Sequence, residues 1–422
     1  MMQLRLAALV AVLYLATGFL SRAAAESVTQ TTPVWLAAGV LFSALLVCAR
    51  WSWPAVLLGG IVGAATWGFV AHDLGWGASL IVGAIESVSM AIGAWIATLG
   101  RQDPRRPAGA GLLIAGALIG STLGGLLGAQ LWRWQGRGID FLAEWLAWTI
   151  STGLGVLLVT PVVIAFRGFR VKRSGGMPMP QFLGGALAFV AFVVATLVVF
   201  DERVVQLGTF APTLAYLPMP FLLLAGLLWG PRGGSLAVLG GALLMIWGTA
   251  KGGGPFAIEE DFPGEAVIEV QAFATVWALM ILFMRALVED RFAALERARD
   301  WRLRYERTML AIGVASVEYD VVTGRAIWGE GATLVLGPAV NTVSSVSEWL
   351  DRVDASERGL VQATWTAVAR GDVPTSEQDY AVHLGGGELS RVNEQLAGVR
   401  GADGEVEQVV AMLRLAAPEP AR

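Results

Sequence analysis

From its first residues to about residue 284 the sequence is one apolar run after another, each close to the length that crosses a bilayer as a helix. A helix needs about 20 apolar residues to cross the hydrocarbon core. Ten candidate spans can be marked, at roughly 4–20, 31–49, 54–71, 75–99, 109–131, 141–166, 183–200, 211–229, 233–249 and 267–288. Of the 422 residues, 55% are hydrophobic and only 15% charged, against about 25% charged in an ordinary soluble domain. Such an apolar surplus cannot be hidden in a water-soluble globule. The expected fold is a polytopic α-helical membrane bundle of about ten transmembrane helices, because only helices and closed barrels satisfy their backbones in lipid.

The loops orient these spans. With the N-terminus inside, inner loops hold Arg50, Arg101, Arg105, Arg106, Arg167, Arg170, Lys172, Arg173 and Arg232, and the chain is again basic from Arg285. Outer loops hold Arg22, Arg133, Arg137, Arg203 and Lys251 among the acidic residues Asp73, Asp140, Asp201, Glu202, Glu259, Glu260, Asp261 and Glu265. The basic excess falls on one side, as the positive-inside rule expects, and an even number of spans returns the C-terminal part to the cytoplasm. Residues 1–25, with a basic start and small residues at Ala23 and Ala25, also fit a cleavable signal peptide. Span two runs outside to inside under either reading.

The stretch LLWGPRGGSLA at 227–237 could be a Gly-rich phosphate cradle or a tight turn between two membrane helices. A P-loop needs a Gly-Lys-Ser/Thr ending after a soluble strand. This stretch has no lysine and its neighbours are apolar, so the turn reading is preferred, with Arg232 at the headgroup layer.

Three stretches resemble a known family: 33–60 (PVWLAAGVLFSALLVCARWSWPAVLLGG), 155–166 (GVLLVTPVVIAF) and 216–256 (YLPMPFLLLAGLLWGPRGGSLAVLGGALLMIWGTAKGGGPF). They are similar to the first type of MASE domain, a membrane-associated sensor found in front of bacterial signalling modules. The resemblance covers roughly 1–290 and implies a sensor in the bacterial inner membrane. Two positions depart from it. Family members often carry Trp-Pro-Pro-Ala-Gly where this chain has Trp35-Leu36-Ala37-Ala38-Gly39, and an aspartate where it has Thr152. A signal held by that aspartate elsewhere in the family would leave this chain with a different ligand or none.

Residues 285–308 read as a polar helix continuing span ten. Val288, Phe292 and Leu295 keep a seam spacing, but Arg299 takes the next place in the register, so a solvated linker and a short paired helix both fit. Residues 309–416 resemble a PAS domain. Two strands flank a turn at Thr323-Gly324, and a short helix falls at 332–337. Two helices fall within 347–372, the second capped by Asp354 with Glu357 at its third position. A hairpin follows around GGGE at 385–388, then a turn at 401–405 and a last strand. The Trp349, Val353, Asp354, Arg358 spacing matches that family and implies a small-molecule or dimerising module. The domain plan is therefore 1–284 membrane sensor, 285–308 linker helix, 309–416 PAS domain and 417–422 tail.

The chemistry-bearing residues are few. One cysteine, Cys48, and two histidines, His72 and His383, leave no set for a metal, a haem or a flavin adduct. No cofactor is expected. Residues 309–422 carry 16 acidic and 8 basic side chains, which argues against a nucleic-acid partner. Glu86, about 16 Å into span four, is the clearest ionisable group at membrane depth. It is either a hydrogen-bonded structural glutamate or a ligand, cation or proton site. Glu144 and Glu269 lie just inside the outer ends of spans six and ten, level with Trp76, Trp132, Arg133, Trp134, Trp145 and Trp148. They suit either an outward pocket or an aromatic belt. Glu86, Glu144, Trp148, Thr152, Glu269 and Trp35 are the candidate signal-binding residues. Gly116, Gly120, Gly124 and Gly128 form a small-residue ridge for close packing, within the bundle or between subunits.

No phosphoacceptor-histidine helix, ATP lid or Gly-Gly-Asp-Glu-Phe signature is present, and no nucleophile–base pair can be marked, so no catalytic residue is assigned. Only APEPAR follows the last strand. The expectation is a membrane sensor that acts as a homodimer or on a separate effector, or one whose effector lies beyond Arg422. The competing class is a small-molecule or ion transporter, disfavoured by the lack of an internal repeat.

Overall fold

A computed structural model describes residues 1–23, 32–101, 106–136, 140–168, 177–257, 265–384 and 389–416. The chain divides into two compact units, Met1–Phe292 and Ala293–Arg422.

The first unit is helical: α1 (Met2–Ala23), α2 (Leu36–Val47), α3 (Trp53–His72), α4 (Trp76–Ala97), α5 (Pro107–Trp134), α6 (Phe141–Phe166), α7 (Met179–Val199), α8 (Ala211–Leu214), α9 (Met219–Ala250) and the start of α10 (Glu265–Ala311). Among the described residues, eight helical segments are long and apolar enough to cross a membrane. Exposed Leu, Val, Ile and Phe side chains such as Leu187, Val190 and Val194 on α7 lie on the outer faces, where lipid rather than water is the expected solvent.

Two details change the span reading. The second span is a helix only over Leu36–Val47. Proline at 33 has no N–H and biases the preceding residue away from helix. Residues 32–35 stay non-helical. Met219–Ala250, in turn, runs as one helix in hydrogen-bond pattern but breaks at Gly230, with φ 64° and ψ −152°. A Cβ on Gly234 would lie 3.1 Å from the Cα of Gly226, whereas eight residues of unbroken helix would separate them by about 12 Å. The chain therefore folds back, and WGPRGG is a turn between two antiparallel arms. Turn backbone at 215–218 also interrupts the apolar stretch ahead of the first arm, next to Pro218 and Pro220.

Small residues set the helix spacing. A Cβ on Gly116 of α5 would sit 2.2 Å from the carbonyl oxygen of Gly93 on α4, and one on Gly128 would overlap the ring of Trp148 on α6. The α5 glycine ridge thus packs within the bundle.

The second unit continues α10, which is a single helix through the linker region. A five-stranded antiparallel sheet follows, made of β1 (Val314–Asp320), β2 (Ala326–Trp328), β3 (Thr375–His383), β4 (Leu389–Arg400) and β5 (Val406–Leu415), in the order β2-β1-β5-β4-β3. Helices α11 (Ala332–Leu336), α12 (Val346–Arg352) and α13 (Arg358–Arg370) lie between β2 and β3 in sequence. Alternate residues of the strands (Val317 and Tyr319, Val392 and Leu396, Val409, Ala411 and Leu413) pack with Trp349, Val361 and Val368 of the helices in one core. This is the α+β arrangement of a PAS-like domain.

One capping expectation is corrected. Helix α13 starts at Arg358, a turn later than an Asp354 cap requires. The Asp354 carboxylate instead accepts from the Ser356 amide at 2.9 Å and from its hydroxyl, and these bonds hold it below the usual carboxylate range. Glu357, the residue before the helix, accepts the Ala381 amide at 2.7 Å. The expected GGGE turn at 385–388 and the tail at 417–422 lie outside the described residues, as do Arg105, Arg137, Arg170, Lys172, Arg173, Glu259, Glu260 and Asp261 of the loops.

Candidate functional site

Among the described residues, polar side chains from several helices converge at depth around Glu86. Helix α1 presents the buried stripe Ala7, Val10, Tyr14, Gly18 and Ser21, the three-and-four spacing of a helix face. Tyr14 stands above Gly63 of α3 and its hydroxyl donates to Oε2 of Glu86 on α4. The indole Nε1 of Trp35 donates to Oε1 of the same carboxyl at 2.7 Å. Glu86 is 3% exposed, and an acidic group so deep is costly unless it is hydrogen-bonded and neutralised or paired. Trp35 meets Tyr14 edge-on, with ring centroids 5.9 Å apart, and Trp67 of α3 at 5.4 Å. The result is an aromatic box around a carboxyl.

Segment 32–36, non-helical from 32 to 35 and entering α2 at Leu36, is the centre of this site. Its backbone is bonded to three helices. The Trp35 amide donates to the Ser151 carbonyl of α6 at 2.9 Å, and the Ser151 hydroxyl donates to the Thr32 carbonyl at 2.7 Å. The Leu36 amide donates to Ser21 Oγ of α1 at 3.0 Å. Gln271 Nε2 of α10 donates to the Pro33 carbonyl at 2.7 Å. Irregular backbone at membrane depth is tolerated only where protein satisfies it, and these side chains do so. Gly155 lets α6 come this close, because a Cβ there would lie 1.9 Å from the Trp35 carbonyl oxygen. Two of the three sequence stretches that carried the family resemblance, 33–60 and 155–166, therefore meet here.

The structure brings together some of the sequence-marked residues and separates others. Trp35 and Glu86 are in contact. Thr152 is buried one residue from Ser151, and its Oγ1 has no hydrogen-bond partner among the described residues. Trp148 packs against Trp132, 6.3 Å between centroids, and a run of ring contacts through His72 leads back to Trp67. Glu144 lies half-buried in the first turn of α6. Glu269 is exposed on α10, whereas Gln271 two residues on is 4% exposed. Two helical residues turn the side chain by about 200°, so the polar group of α10 that reaches the site is Gln271. Trp76 and Trp134 point outward, at 59% and 79% exposure. Tyr14, Ser21, Ser151 and Gln271 were not marked from the sequence. A hydroxyl on an otherwise small and apolar stripe was the available signal for Tyr14 and Ser21.

At the other end of α6, Arg232 Nε donates to the Ala165 carbonyl at 3.2 Å and Arg285 Nη1 of α10 approaches the Pro161 carbonyl at 3.4 Å. Cations favour a helix C-terminus, so the turn arginine and the buried α10 arginine both serve α6. In the second unit, the Trp349 indole donates to Tyr380 Oη at 2.8 Å, and Arg358 donates to the carbonyls of Asp351 and Val353. Trp349 thus joins α12 to β3, and Arg358 ties the start of α13 to the end of α12. His383 is exposed at the end of β3.

A family model, MASE1, matches residues 4–291. No curated protein matches the chain. Solved structures similar to parts of it include the N-terminal domain of a diguanylate cyclase with PAS/PAC sensor from Marinobacter aquaeolei, 20% identical over 24% of this chain and 92% of that one, TM-score 0.23. Another is a sensory box histidine kinase/response regulator from Burkholderia thailandensis, 14% identical over 27% of this chain and 84% of that one, TM-score 0.23. A multi-pass helical bundle matched over 4–291, followed by a PAS-like α+β unit, makes this a membrane sensory protein, and the chain belongs to the MASE1 family.

Proposed function

We propose that the protein senses its signal at the Tyr14–Trp35–Glu86 node and passes it through α10 to the PAS-like domain, which acts on a partner or an effector module. The observation that carries this reading is the bonding of segment 32–36. One short stretch is held by the carboxyl at the centre of the aromatic box and by Gln271 of the helix that continues into the second unit. A ligand, cation or proton that alters the Glu86 hydrogen bonds changes what holds Trp35, and the Pro33–Gln271 bond changes with it. Coupling of this kind requires the signal to bind two arrangements unequally. Glu86 and Trp35 are the recognition residues, Thr152 and Trp148 line the adjoining face of α6, and Gln271 is the relay. The positive-inside pattern sets the PAS-like domain on the cytoplasmic side.

The test uses a reporter diguanylate cyclase module joined after Arg422 in cells, with cyclic-dinucleotide output as the readout. Glu86→Gln and Gln271→Leu are each expected to shift output several-fold from that of the parent fusion, while Glu269→Ala leaves it unchanged. Parent-level output from both Glu86→Gln and Gln271→Leu, with normal protein levels, would sink the assignment.

A further inference from the structure

The second unit holds a buried acid of its own. Strand β4 places Val392, Glu394 and Leu396 on its inward face, and all three are buried, Glu394 at 0% exposure. Its cross-strand neighbours in register are Leu413 of β5 and Gln378 of β3. Gln378 Nε2 donates to Glu394 Oε2 at 2.7 Å. Tyr380, two residues further along β3, is 1% exposed and its oxygen accepts from Trp349 of α12. Tyr319 of β1 is fully buried close enough to feel the Glu394 charge. Trp365 of α13 packs edge-on against Tyr319 at 5.6 Å. The titratable groups facing Glu394 are thus Tyr380 from β3 and Tyr319 from β1. β5, α12 and α13 contribute Leu413, Trp349 and Trp365, which carry no charge.

No cation among the described residues contributes to the state of this carboxyl. Glu394 Oε1, Gln378 Oε1, Tyr319 Oη and Trp365 Nε1 all lack hydrogen-bond partners among the described residues. An ionised carboxylate here has one neutral donor, Gln378 Nε2, and a low-dielectric surround, while a protonated one is uncharged and has a hydrogen to offer the unpartnered Gln378 Oε1. A glutamine would fill the same space and keep the bond pattern without ever ionising. The polar pair is therefore built around a group with two charge states, at the pairing of β3 with β4.

We infer that Glu394 is a proton-operated switch of the PAS-like domain: protonated, it locks β3 to β4 through Gln378, and on releasing its proton to bulk water it loosens that pairing. This switch is independent of the membrane node and does not rest on the function proposed for it. Burial raises the carboxyl from its ordinary 4.5 to about 7, which puts the change of state within the physiological range. A raised folded-state value stabilises the domain below about 4.5, and this contribution is lost as pH rises through about 7.

The experiment is hydrogen–deuterium exchange of the full chain in lipid nanodiscs at about pH 6 and about pH 8, corrected for the intrinsic pH dependence of exchange. The opening constant of peptides covering β3 and β4 is expected to rise about tenfold between those values in wild-type and Glu86→Gln protein, and to stay flat in Glu394→Gln. A flat wild-type response, or an equal rise in a folded Glu394→Gln variant, overturns the inference. If Glu394→Gln fails to fold, infrared titration of Glu86→Gln protein decides. A protonated-carboxyl band that disappears between about pH 6 and about pH 8 supports the switch, and its absence at the lower pH overturns it.

Discussion

At the scale of single residues, the membrane unit depends on which polar atoms are satisfied inside an apolar bundle. Glu86 gives acceptors to Tyr14 and Trp35. Removing the carboxyl leaves two buried donors unpaired, at a cost of about 1–3 kcal/mol each. Glu86→Ala is therefore expected to lower the melting temperature in detergent clearly more than Glu86→Gln, which keeps an acceptor oxygen. Equal melting temperatures for the two variants would mean that the hydrogen bonds contribute little. Of these residues, Glu86 was legible as an acid in a span and Trp35 through the family resemblance. Their contact was not, because 51 residues separate them. Gln271 escaped notice because an uncharged amide in an apolar run carries no penalty that a sequence reading registers, while the exposed Glu269 does. Glu394 was missed for a different reason. Its strand alternates as a half-buried strand should, and the acid occupies the apolar register, so the signal was present as a charged residue on the wrong side of the alternation.

At the scale of elements, glycine decides where helices turn and how closely they approach. Gly230 has φ and ψ in a region almost reserved for glycine. Gly230→Ala is expected to destabilise the α9 hairpin by about 1–3 kcal/mol, read as a lower thermal midpoint and faster proteolysis near the turn. An unchanged midpoint and cleavage rate would show that the arms alone determine the reversal. Gly116→Leu puts a side chain where only 2.2 Å separates a Cβ from the Gly93 carbonyl oxygen. It is expected to force α4 and α5 apart and to abolish folded yield, whereas Gly111→Leu, on an open face of the same helix, is expected to be tolerated. The glycine ridge was visible as a repeat of four, but a repeat does not say which surface lies opposite.

For the whole molecule, two compact units joined by one helix imply two cores with separate requirements, lipid for the first and the accommodation of a buried acid, Glu394, for the second. Thermal unfolding in nanodiscs is expected to show a transition for the second unit whose midpoint falls as pH rises from about 5 to about 8 and whose pH dependence disappears in Glu394→Gln. The corresponding midpoint of the membrane unit is expected to be the same in wild-type and Glu394→Gln protein at each pH. A second-unit midpoint that rises with pH would contradict the sign set by the raised Glu394 value.

The membrane class, most of the span limits, the turn at 230 and the order of strands and helices in the second unit follow from sequence alone. Each depends on local quantities: the length of an apolar run, the alternation along a strand, and the backbone preferences of glycine and proline. Sequence did not show that span two begins with buried non-helical backbone, that four helices meet at residues 32–36, or that the α10 residue reaching that point is an amide rather than an acid. Those outcomes depend on which faces of distant helices come into contact. That is decided by close packing at Gly39, Gly155 and Gly116 and by the need of every buried donor and acceptor for a partner, conditions that only the assembled chain can meet.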